Sequence, residues 1–116
     1  MLLGGVFRAI DQAQNLAATL GAAKAAHMRD DLRRFSERWD APLSFPAGHP
    51  IRTVNALRAL LAAGEPYMPL AHAFYQAYWV DGVDLAAEAG VRHVLREAGL
   101  DADVIWETSQ SPEVKE

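Results

Sequence analysis

Four histidines, His27, His49, His72 and His93, are the side chains best able to exchange protons near neutral pH or to ligate a metal. None stands three or four residues from another, so no two share a helix face at ligand spacing and no structural zinc site is expected. The chain has no cysteine, which removes a CxxC redox pair, a disulfide framework and a thiolate metal site from these residues. Neither a glycine-rich phosphate loop nor a GxSxG nucleophile elbow occurs. No catalytic residue is therefore expected within the chain. Lys24 is a different case. It lies one helical turn from His27 and Met28 and two turns from Asp31, beside an apolar stripe rather than opposite it. That placement suits a lysine snorkelling from a helix shoulder, or a cation at a domain interface or ligand cleft. Trp39, Trp79 and Trp106 read as core or interface aromatics, because no basic residues interleave with them to make a base-stacking platform.

The elements that must position these residues are helices. Alanine and leucine abound, β-branched residues are sparse, and Ala18, Ala22, Ala25, Met28, Leu32, Phe35 and Trp39 recur at three- and four-residue steps. This spacing predicts one long helix near 16–39 with a buried stripe. Prolines 42, 46 and 50 then enforce an extended loop. Thr53 offers an N-cap to a helix carrying Val54, Leu57, Leu60 and Leu61 on one face, and Gly64 is placed to end it. Pro66 opens a helix over 67–80 whose apolar residues cover most of its circumference, which predicts burial on nearly all sides. Asp84 is placed to cap a helix over 84–99 that turns Leu85, Val91, Val94, Leu95 and Ala98 inward, with Gly99 as its C-cap. Asp101 announces a further short helix carrying Val104, Ile105 and Trp106, and Ser111-Pro112-Glu113 announces another.

A chain of 116 residues, 51% hydrophobic, suffices for one compact domain spanning 1–116. Its net charge of -4 provides no global basic field, so neither nucleic acid nor an anionic membrane is an expected partner. The first residues lack a basic n-region, and no apolar run reaches membrane length, which predicts a soluble cytoplasmic chain. The helix start at Ser111 comes close to the last residue, and Leu2, Leu3, Val6, Phe7 and Ile10 are apolar from the outset. Both ends read as cuts through a larger protein, and the apolar start predicts self-association.

Four runs carry a resemblance: LLGGVFRAI (2–10), KAAHMRDDLRRFSERW (24–39), PLSFPAGHPIRTVNALRALLAA (42–63) and FYQAYWVDGVDLAAEAGVRHVLREAGLD (74–101). In order and spacing they resemble the middle of 2-hydroxychromene-2-carboxylate isomerases, which stand with kappa-class glutathione transferases in the DsbA-like thioredoxin superfamily. The resemblance implies an all-α helical bundle like the helical insertion domain of those proteins. It also implies a glutathione-dependent isomerisation whose catalytic serine and thiol-binding backbone lie in a thioredoxin-like half absent from these residues. Lys24 falls where the family has a lysine reaching glutathione. Asn15 matches the family's asparagine after a loop shift, whereas Gln12 aligns without one; the sequence departs here, since Asp11-Gln12-Ala13-Gln14-Asn15 stands where Gly-Asn and prolines are usual. The implied partners are the missing half or further copies of the chain.

The leading expectation is thus the helical part of a glutathione-dependent isomerase, inactive alone. A stand-alone helical oligomerisation or interaction module is the second reading. The helical domain of a DsbA- or FrnE-like thiol-disulfide oxidoreductase is the third, and the LLGGVF block weighs against it.

Overall fold

The computed structural model describes residues 3–13, 19–65 and 67–115. Among them the regular structure is α1 (Leu3–Ala9), α2 (Ala22–Arg38), α3 (Val54–Ala63), α4 (Tyr67–Trp79), α5 (Glu88–Glu97), α6 (Ala102–Ser109) and α7 (Pro112–Lys115), with no strand. The chain is all-α, as its composition and periodicity predict. These helices fall into two compact units, Met1–Leu43 with α1 and α2, and Ser44–Glu116 with α3 to α7. Leu2, Asn15, Leu16, Ala18, Pro66 and the side chain of Leu3 lie outside what is described.

In the first unit, Gly21 holds an extended conformation (φ -63°, ψ 151°) at the N-cap of α2. Its carbonyl accepts from the Ala25 N–H at 3.0 Å. The helix therefore begins at Ala22, later than its stripe predicts, because glycine is the residue least costly to leave outside a helix. At the other end Asp40 adopts φ 48°, the left-handed conformation that closes helices and that aspartate tolerates. No residue of α2 is buried. The expected burial is corrected here: Met28, Leu32, Phe35 and Trp39 are 45, 42, 55 and 71% exposed. Periodicity records that a helix is two-faced; burial needs a partner on the apolar face as well.

The second unit holds the core. Ala56 and Ala59 of α3, Leu70, Phe74, Ala77 and Tyr78 of α4, Leu85, then Val91, Val94 and Leu95 of α5 and Ala102 of α6 form one buried cluster. Here α3 lies against α4, α5, α6 and α7. The alanines face inward, whereas Leu57 and Leu61, predicted to face the core, are exposed. A helix gripped by four neighbours needs small side chains at the contact, and this outweighs the greater hydrophobicity of leucine. The predicted all-round burial of α4 is also corrected, since Tyr67, Met68 and Tyr75 are exposed. Ala98 and Val104 likewise face solvent.

Glycine C-caps and one aspartate N-cap behave as their sequences predict. Gly64 ends α3 at φ 62°. Gly99 takes φ 73° after α5, with its N–H donating to the Arg96 carbonyl and that of Leu100 to the Leu95 carbonyl. The Asp101 carboxylate accepts from the N–H groups of Asp103 and Val104. Thr53 makes no side-chain cap bond. Asp84 closes a turn rather than a helix, accepting from the Ala86 N–H at 2.9 Å, so α5 starts only at Glu88. Arg92 joins α5 to α6 by donating to Glu88 Oε1 (2.6 Å) and to Asp103, with its guanidinium 5.5 Å from the Trp106 ring centroid. The announced last helix is present as the four residues of α7.

Candidate functional site

Lys24 stands in the first turn of α2, on the shoulder of the apolar stripe, and is exposed. Seven and fourteen residues on, Asp31 and Arg38 continue the same shoulder. Asp31 is half-buried and pairs with Arg34 at 3.6 Å, and Arg33 donates to Glu37 at 2.9 Å. Such exposed pairs contribute at most about 1 kcal/mol each. The Lys24 ammonium can give one charge-assisted hydrogen bond to an anionic ligand. Asn15, the second residue implied by resemblance, lies outside the described residues. Gln12, its rival in the alignment, is exposed, and its N–H donates to the Phe7 carbonyl past the end of α1.

A second cluster is not legible in the sequence. In the second unit the proline-rich segment from Ser44 folds onto the end of α4, where the Ser44 N–H donates to the Trp79 carbonyl at 2.7 Å. His49 Nδ1 lies 2.8 Å from the Tyr78 hydroxyl. The rings of Phe45, His49, Tyr78 and Trp79 meet at centroid distances of 4.8–6.0 Å. Rings at these distances pack edge to face or tilted against one another. Which of Tyr78 and His49 donates follows the tautomer of the imidazole, since the phenol can give its O–H to a bare Nδ1 or accept from an Nδ1–H. With Nδ1 occupied, His49 fastens the loop. Among the described residues no three of His, Asp and Glu converge as a metal site.

Burial pushes the Tyr78 phenol above its ordinary ionisation range, with the negative charge of Asp84 adding to this and the Ile51 hydrogen bond opposing it. A raised folded-state value means that this group's contribution is fully present below about pH 10, the unfolded value, and is lost as pH rises through the folded one. Tyr78→Phe should lose about 1–2 kcal/mol at neutral pH by removing the hydroxyl's bonds. It should also flatten the alkaline fall in stability. Urea unfolding of both proteins between about pH 7 and pH 11 reads both effects, and equal midpoints at neutral pH would refute the loop-fastening role.

Comparison with known proteins adds two findings. Residues 6–116 match the DSBA-like thioredoxin domain family. A protein from Sphingobium xenophagum named 2-hydroxychromene-2-carboxylate isomerase is 33% identical over 86 residues, covering 73% of this chain and 44% of that protein. The chain thus spans less than half of the relative's length.

Proposed function

Because the chain belongs to the DSBA-like thioredoxin domain family, we propose that it is the helical part of a glutathione-dependent isomerase of the 2-hydroxychromene-2-carboxylate type. The observation that carries this reading is the 33% identity to a relative bearing that name. In this reading the helices supply one wall of a cleft. Lys24, on its exposed shoulder, offers its ammonium to a glutathione carboxylate, and Asn15 is the second polar contact. The serine and the backbone that positions the thiol belong to a thioredoxin-like half outside these 116 residues.

A polypeptide of these residues alone is then expected to bind glutathione only weakly. One charge-assisted hydrogen bond contributes about 1.5–3 kcal/mol when well placed, less than the roughly 4 kcal/mol that corresponds to dissociation at 1 mM. Titration followed by chemical shifts should therefore show dissociation at about 1 mM or weaker, with shifts at Lys24 that vanish in Lys24→Ala. No turnover of a chromene carboxylate is expected. Micromolar binding or turnover would refute the dependence on a second half, and absence of any shift at Lys24 at about 20 mM glutathione would refute the cofactor contact.

A further inference from the structure

The uncovered face of α2 is bordered by charges in a pattern that selects an occupant. Met28, Leu32, Phe35 and Trp39 run along it. One shoulder carries Lys24, Asp31 and Arg38, the other Arg29 and Ser36. We infer that this face pairs with α2 of a second copy, antiparallel about a two-fold axis centred between Arg34 and Phe35. The inference stands independently of the isomerase reading.

An antiparallel two-fold pairing brings each shoulder against the same shoulder of its partner. The shoulder of Asp31 and Arg38 is self-complementary in one register, the one that puts Asp31 of each copy level with Arg38 of the other. That register forms two opposite-charge contacts per dimer. It also places each Leu32 between Phe35 and Trp39 of the other copy, as a knob entering a hole. On the second shoulder Arg29 comes level with Asp40 rather than another cation, and Arg33, further round the helix, pairs with its own Glu37 at 2.9 Å. A parallel in-register pair would instead align the apolar rows but set no Asp31 beside an Arg38. The overlap is about ten residues, or roughly 15 Å of helix. It covers less than the about 800 Å² per partner of a standard stable interface, so the dimer is weak and reversible. Lys24 lies beyond the overlapped stretch, and the glutathione titration is decided separately.

The test is sedimentation equilibrium of the full chain from about 10 μM to about 1 mM, with circular dichroism to confirm helix content. The wild type should show reversible dimerisation in the upper part of that range. Asp31→Arg and Arg38→Asp should each weaken it by roughly tenfold or more, since two opposite-charge contacts become like-charge ones. An equimolar mixture of the two variants should regain wild-type dimerisation. Each variant alone sets two cations or two anions level with each other, and only the heterodimer turns both clashes into opposite-charge pairs. A wild type monomeric throughout, variants that dimerise like the wild type, or a mixture without recovery would each overturn the proposal.

Discussion

Gly90→Ala should destabilise the second unit by about 3 kcal/mol or more, within the upper range of overpacking in a filled interior. Gly90 is the third residue of α5, where the chain from Val83 to Ala87 crosses over it. A β-carbon there would overlap the Asp84 carbonyl oxygen, lie 2.9 Å from the Asp84 carbonyl carbon and sit 3.2 Å from Val83 Cγ1. The first two obstacles are backbone, which no rotamer change can move aside. The crossing strap is itself fixed. Val83 N–H donates to the Ala77 carbonyl at 2.8 Å, Asn55 Nδ2 to the Ala86 carbonyl at 3.2 Å, and Leu85 is buried in the core. Accommodating a methyl group means breaking these bonds, each worth about 1 kcal/mol, or moving the buried Leu95 and Val91 of α5 out of their packing. Urea unfolding should show a lower midpoint with unchanged slope. A midpoint equal to that of the wild type would show that the strap yields freely.

The second large effect is a division of folding between the units. Among the described residues every buried side chain lies between Ala56 and Ser109, and α2 has none. A polypeptide of residues 44–116 should therefore unfold cooperatively. At about 70 residues it is small, but such domains do fold alone when their core is continuous. Residues 1–43 alone should melt gradually. An isolated 17-residue helix is only marginally stable in water, because nucleation is costly, and among the described residues none of α2 is buried to offset that cost. Thermal unfolding followed by circular dichroism distinguishes the two shapes. A sigmoidal transition from 1–43, or none from 44–116, would refute the division.

What the sequence discloses and what it conceals follow from the range of each interaction. Gly64, Gly99 and Asp101 act on backbone within a few residues, so their caps are readable from residue type alone. Asp84 shows the limit, because the same carboxylate can cap a helix or close a turn, and the choice rests on the strap over Gly90. Hydrophobicity assigns Leu57 and Leu61 to the core, whereas the position of four neighbouring helices gives that place to Ala56 and Ala59. His49 and Tyr78 are 29 residues apart, and no local pattern joins them. The stripe on α2 is legible as a stripe, and its exposure is not, since periodicity says nothing of what stands opposite.

The arrangement at the centre of α3 inverts the usual expectation for how this sequence can drift over generations. Leu57 and Leu61 are 43 and 70% exposed, so exchange for lysine, glutamine or glutamate costs little packing at Leu61 and part of it at Leu57, and lowers the risk of aggregation. Ala59, with no exposed surface at all, has room for nothing larger, and even the extra methyls of a valine must displace a neighbouring helix. Homologues of this unit should therefore keep small residues at positions 56 and 59 while the more hydrophobic positions beside them wander. A substitution score that weights leucine as core and alanine as neutral would rank the tolerance of these neighbours in the wrong order.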